Sequence, residues 1–250
     1  MTIQIAIPTN RNQIDWRLGG WLYKIKEEPK GIKPELTIKD RQPVDANRNY
    51  IVNDFLKNTK HEWLFFIDDD MIPHPKTDLY KMIGHDKKVV SGLTMVMHNG
   101  VPGPLIMKKA PNHTPAQPLF RLAGIDDLKL EEGGSLVKVD GVGTGCLLIH
   151  RSVLEEMEPP YFKFVTDEDG QMILSEDYYF SEKVRAMGIQ MFVDCEAAFG
   201  HGKYLDLWSI GKLLNRVVTS NKIRVEEFGK ELKGKEYVKP VKAKAKTGVS

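Results

Sequence analysis

Three features of the 250-residue sequence predict an α/β fold, with a mixed, mainly parallel sheet flanked by helices. Short apolar runs end abruptly at proline or acidic residues, as buried strands do. Segments in which apolar residues recur with a helical period lie between those runs. Two of the runs are followed directly by polar loops, the arrangement that places a ligand site at the carboxyl edge of a parallel sheet.

Ile3 to Ile7 is the first strand, cut off by Pro8 and followed by the loop PTNR over 8–11. Residues 44–60 place Val44, Tyr50, Ile51, Phe55 and Leu56 at helical recurrence, with Asp45 near the start as a cap. Trp63 to Ile67 is the next strand and runs into Asp68, Asp69 and Asp70. Asp78 to Ile83 reads as helix, Val89 to Met97 as extended chain, and Leu136 to Val139 and Cys146 to Ile149 as two further strands. Ser152 to Met157 and Ser181 to Met187 read as helices, and Ile189 to Val193 as a strand. Between Gly100 and Gly134, Pro102, Pro104, Pro111, Pro115 and Pro118 predict an irregular stretch serving as a lid or substrate loop.

With 41% hydrophobic residues, the chain can build one substantial core. Its longest apolar runs fall short of the roughly 20 residues that span a bilayer, and MTIQIAIPTNR lacks a secretory leader's basic start, so a cytoplasmic location is expected. Cys146 and Cys195 lie in apolar surroundings without metal-type spacing, which predicts reduced core thiols. The net charge of +2 conceals an asymmetry: Lys212 to Ser250 carries eleven Lys or Arg against four Glu, a net of +7, leaving −5 for residues 1–211. A globular domain over 1–211 and a basic helical extension with a disordered tail over 212–250 are therefore expected. The tail is the one feature that suits a polyanionic partner such as DNA.

Three adjacent carboxylates repel one another unless a cation, water or hydrogen-bond donors offset the charge. A divalent Mn or Mg ion is the most direct compensation, because such ions take carboxylate oxygens and keep positions open for phosphate. If the run continues the strand, Asp68 and Asp70 share a side and Asp69 faces away. The same acids also suit the start of a helix or a solvated loop.

The segments VGTGCLLIHRSVLEEM and ILSEDYYFSEKVRAMGIQMFVDCEAAFGHGK carry Gly143, Gly145 and Arg151, then Glu176-Asp177 at a helix start, Gly188, a strand, and His201. With PTNR, ANRN over 46–49 and FIDDD in the first half, this order resembles the family-2-type glycosyltransferases of the GT-A fold. The resemblance implies a soluble, non-processive enzyme that moves one sugar from a nucleotide-diphosphate donor, a UDP-sugar first, to an acceptor hydroxyl with inversion. It implies Asp68 and Asp70 as metal ligands of the DxD type, joined by His201. Pro8, Thr9, Asn10, Arg48, Asp68, Asp69, Gly143, Thr144 and Gly145 would line the donor nucleotide. Asp177 would be the catalytic base, with Glu176 beside it. A hydroxymethylated DNA base, a glycan, a lipid and a protein all remain open as acceptors. A nucleotidyltransferase fits less well, because PTNRNQ is a poor phosphate loop, and a non-catalytic nucleotide-sugar or nucleic-acid binding module is the reading outside catalysis.

Overall fold

The computed structural model describes residues 2–10, 13–27, 33–40, 43–98, 101–110, 119–123, 131 and 134–202. The basic extension expected over 212–250 lies outside the described residues. The elements in order are β1 (Thr2–Thr9), α1 (Trp16–Glu27), β2 (Lys33–Asp40), α2 (Val44–Asn58), β3 (Trp63–Ile67), β4 (Met71–Pro73) and α3 (Leu79–Gly84). There follow β5 (Val89–His98), β6 (Val101–Pro104), β7 (Met107–Lys109), β8 (Phe120–Leu122), β9 (Leu136–Val139) and β10 (Cys146–His150). The chain continues through α4 (Arg151–Glu156), β11 (Val165–Thr166), β12 (Met172–Leu174), α5 (Glu176–Ala186) and β13 (Met191–His201).

The main sheet runs β2-β1-β3-β10-β5-β13-β4, with β6 beside β5 and β9 beside β13. It is mixed. β1 is parallel to both β2 and β3, and β13 is parallel to β5, while β10 is antiparallel to β3 and β5. The register of β1 on β3 pairs Ile3 with Trp63 and Ala6 with Phe66, so the chain leaves both strands at the same edge. There Thr9 and the aspartate run lie side by side, the Thr9 hydroxyl reaching Asp69.

All five residues of β3 are buried because the sheet is covered on both faces. Leu64 and Phe66 join Ile51, Val52 and Phe55 of α2, Val153 of α4 and Phe180 and Val184 of α5 in one core layer. Trp63, Phe65 and Ile67 join Leu18 and Leu22 of α1 and Met82 and Ile83 of α3 in the other. The strand's two-residue alternation thus divides one apolar run between two helix layers. Arg151 anchors α2 from the side: its guanidinium donates to the carbonyls of Phe55, Thr59 and His61 and sits 4.3 Å over the Phe55 ring. This satisfies carbonyls that end a helix without intrahelical partners.

Several boundaries differ from the sequence reading. α5 starts at Glu176, where the Glu176-Asp177 pair suits a helix start, ahead of the periodic stretch from Ser181, and β13 reaches His201 through a register shift between Asp194 and Ala198. The proline-rich stretch holds the short strands β6, β7 and β8. Asp45 falls in the first turn of α2, whose N-cap is Pro43 with no side-chain cap, so the expected cap is corrected. Ile189 precedes β13 and packs against the core as the chain leaves α5 through Gly188, whose φ of 72° suits glycine.

Candidate functional site

The aspartate run is a turn, which overturns the alternation argument for pairing Asp68 with Asp70. β3 stops at Ile67, and the Met71 amide donates to the Asp68 carbonyl at 3.1 Å, closing a four-residue turn before β4. The three carboxylates consequently go to three different partners. Asp68 Oδ1 pairs with Arg48 Nη2 at 2.9 Å. Asp69 is buried and accepts the Thr9 hydroxyl at 2.7 Å across the parallel β1–β3 edge. Asp70 Oδ1 lies 3.3 Å from His201 Nε2, at the end of the β13–β4 pairing that sets His201 opposite Met71. A Gly202 amide to Asp70 carbonyl bond of 2.8 Å fixes that junction.

Arg48 reaches the turn from inside the fold. Its side chain is only 3% exposed, and besides Asp68 it pairs through Nη1 with Glu176 Oε1 at the start of α5. Burial alone lowers a guanidinium's pKa, but the attraction of Asp68, Glu176 and Asp177 outweighs it and holds Arg48 above its ordinary value. The expectation that Arg48 lines the donor nucleotide meets a side chain committed to two carboxylates.

Asp177 is next along α5. Its Oδ1 accepts the Ser175 hydroxyl and the Tyr178 amide, the latter at 2.9 Å, and Oδ2 accepts no hydrogen bond among the described residues. Burial raises both Asp177 and Glu176 above the usual carboxylate range, against the opposing pull of Arg48. Consecutive helix residues point about 100° apart, so Glu176 turned to α2 leaves Asp177 turned elsewhere.

The glycine loop separates the two acidic elements. A Cβ at Gly145 would stand 3.3 Å from Asp68 Oδ2 and 2.4 Å from Met71 Cε, and one at Gly143 would stand 3.9 Å from Asp177 Oδ2 and 2.6 Å from Leu105 Cδ2. Both glycines therefore let the loop pass between side chains that already fill the space. Thr144 between them is buried. The Asp68 amide donates to the Gly145 carbonyl and the Val142 amide to the Ser181 hydroxyl, at 3.0 and 3.1 Å, so one end of the loop is fastened to the turn and the other to α5. Pro8 and Thr9 are buried and Asn10 is exposed at the rim.

Residue type marks Ser175, with Glu176 and Asp177, as a helix-start residue, and it is the N-cap of α5. The sequence reading missed Leu105 and Ser181 as parts of the site, since they meet the loop only through the fold.

Asp70 and His201 suit a cation in their chemistry and spacing. Two ligands about 2.1 Å from one octahedral ion lie about 3 Å apart, close to the separation found. Among the described residues no three His, Cys, Asp or Glu side chains cluster as a complete metal site. An ion on this pair would take its remaining ligands from phosphate oxygens and water, as Mg and Mn commonly do.

The fold and site define a mixed α/β protein with a segregated acidic centre at the edge where β1 and β3 end. No protein-family model matches the chain, and no curated protein matches it. Among solved structures, A197 from STIV is similar over 82% of this chain and 87% of that one, with a TM-score of 0.54 and 20% identity, a likeness of fold. GalNAc-T7 with UDP, GalNAc and Mn2+ overlaps 82% of this chain and 44% of its own at TM-score 0.49 and 13% identity. S. aureus TarS 1-349 with UDP-GlcNAc overlaps 82% and 60% at 0.44 and 13%. Among the described residues no helix is long and apolar enough to cross a membrane.

Proposed function

We propose that the chain is a metal-dependent glycosyltransferase moving a single sugar from a nucleotide-diphosphate donor, a UDP-sugar first, to an acceptor hydroxyl with inversion. The observation that carries this reading is the meeting of the acidic turn and the Glu176-Asp177 helix start through Arg48, in a chain whose motif order resembles GT-A enzymes. Residues 1–211 would be the catalytic domain and 212–250 a basic extension.

Asp70 and His201 would hold the Mn or Mg ion, with Asp68 Oδ2 nearby on the same turn. When bound, that ion supplies positive charge that stabilises the departing diphosphate. Asp177 acts as general base through Oδ2, because its other oxygen is occupied by the Ser175 hydroxyl and the Tyr178 amide. The acceptor hydroxyl gives its proton to Oδ2, its oxygen bonds to the anomeric carbon, and the bond from that carbon to the diphosphate oxygen breaks. Nucleoside diphosphate then leaves. Burial of Asp177 strengthens it as a base, since a carboxylate with a raised pKa holds the accepted proton better.

Thermal stabilisation by UDP, GDP, CDP and ADP, each with and without manganese, tests this on wild type, Asp70→Asn and His201→Ala. A shift that needs one nucleotide and the metal, and disappears in both variants, supports the donor site. No shift with any nucleotide in the presence of manganese refutes it and leaves a non-catalytic module as the reading to pursue.

A further inference from the structure

Glu176 and Arg48 have no step in the transfer chemistry, yet they are ion-paired with each other inside the site. Resting on the transferase reading above, we propose that Arg48 is a positioning residue and Glu176 its counter-ion, together locking the start of α5, and so Asp177, against the acidic turn. Glu176 is then no proton acceptor, and Arg48 no donor ligand.

The geometry carries this in three steps. The Arg48 side chain is 3% exposed, so it cannot meet a nucleotide without leaving the interior. Both of its terminal nitrogens are committed, Nη2 to Asp68 and Nη1 to Glu176, and those carboxylates belong to elements 20 and 128 residues away in sequence. Its Nε has no hydrogen-bond partner among the described residues, so these two ion pairs are its whole anchorage. Charge-assisted bonds of a planar guanidinium fix angle as well as distance. Glu176 is held on one oxygen by that guanidinium, 12% exposed and turned to α2, whereas the neighbouring Asp177 keeps an unbonded Oδ2 beside the glycine loop. One helix start thus presents one structural and one reactive carboxylate.

The test uses the full chain as wild type, Glu176→Gln, Arg48→Lys and Asp177→Asn, with three readouts. These are UDP release from a panel of UDP-sugars, the melting shift given by UDP with manganese, and hydrogen exchange of the segment over 174–182. Glu176→Gln keeps the side chain's shape and an oxygen for Arg48, and Arg48→Lys keeps the charge; a cooperative melting transition without ligand checks that each variant is folded before the readouts are compared. The expected result is a kcat lowered about tenfold in each, with donor KM within about threefold, against a loss of about a thousandfold in Asp177→Asn. Both positioning variants retain most of the UDP and manganese shift and exchange faster over 174–182, and Asp177→Asn does not. Equal losses in Glu176→Gln and Asp177→Asn would overturn the inference, as would loss of the UDP shift in Arg48→Lys or unchanged exchange in both positioning variants. If the wild type shifts with none of UDP, GDP, CDP and ADP in the presence of manganese, the transferase reading falls; if one of the others replaces UDP, the same three readouts are taken with that nucleotide and its sugars. If the wild type both shifts with its nucleotide and releases it, and the variants misbehave, only the positioning inference falls.

Discussion

Asp177→Asn should make the protein more stable while removing its activity. In the fold the Asp177 carboxylate is raised above its ordinary value chiefly by burial, so the folded state holds its proton more tightly than the unfolded chain does. The sign follows from linkage: stability owed to this group is fully present below the unfolded value of about 3.9 and is lost as pH rises through the folded value. At neutral pH the wild type therefore carries a half-buried charge that asparagine does not. Asparagine keeps an oxygen for the Ser175 hydroxyl and the Tyr178 amide, and its amide replaces Oδ2, which has no hydrogen bond to lose among the described residues. Against this stand the lost attraction of Arg48 and a new amide donor near Gly143. Single stabilising substitutions commonly gain about 0.5–2 kcal/mol, and relief of this charge should fall in that range. About 1 kcal/mol corresponds to roughly 2–4 °C in a domain of this size. Melting curves of both proteins between pH 4 and pH 8, without nucleotide, provide the assay. The variant's advantage should be near zero at the acid end and grow towards neutrality. A variant that melts below wild type at pH 7.5, or by a margin independent of pH, refutes the argument that burial dominates at this carboxylate.

Other outcomes follow from packing. Gly143→Ala places a methyl 2.6 Å from Leu105 Cδ2 and should cost about 1–3 kcal/mol, with partial recovery of the melting temperature in the Gly143→Ala, Leu105→Ala double variant. Arg151→Ala removes the guanidinium from three carbonyls near the end of α2 and should cost about 2–3 kcal/mol in urea unfolding. Because Arg151 lies away from the acidic turn, donor binding measured well below the melting temperature should persist. The Cys146 thiol, pushed up to about 12 by burial, should resist alkylation at pH 8 until denaturant is added. Rapid labelling of native Cys146 would mean that the β10–β5 region opens easily.

The parts of the fold that were legible in the sequence are those where local pattern and burial agree. WLFFI over 63–67 is apolar throughout because both faces of β3 are covered, and α2 carries its apolar residues at helical spacing. β2 escaped notice because KPELTIKD is a half-polar edge strand with a proline near its start, which the edge tolerates. α1 escaped notice because Gly19 and Gly20 interrupt its pattern. β13 read as short because its register shift between Asp194 and Ala198 breaks the alternation before the strand reaches His201. In the site, residue types and motif order pointed to the acidic turn, to Glu176-Asp177 and to Thr9, Arg48 and His201, but as donor-lining residues and a metal ligand, not as the partners of individual carboxylates. Arg48 looks like a surface residue on a helix, and its burial depends on carboxylates supplied by two distant segments.

The turn also explains how three neighbouring aspartates coexist. Had the run continued β3, two carboxylates would have crowded onto one side and repelled each other in a partly buried setting, where the interaction is stronger than in water. Closing the turn after Ile67 sends Asp68 towards α2, Asp69 towards the end of β1 and Asp70 towards the end of β13. Each charge then meets a donor from a different element: a guanidinium, a hydroxyl and an imidazole. The cost of the run is lowered by distribution, and the same distribution draws β1, α2 and β13 to one point. Of the three partners, the imidazole is the strongest metal ligand, and the guanidinium is none. A cation arriving at Asp70 would thus exchange the Asp70–His201 contact for two metal bonds while the Arg48 and Thr9 pairs stay in place. Nucleotide binding with manganese should therefore leave the core of the turn unmoved, and Asp68→Asn, which weakens the anchoring pair, should lower thermal stability more than His201→Ala does. The reverse order of melting temperatures would show that the turn is held from β13 and not from α2.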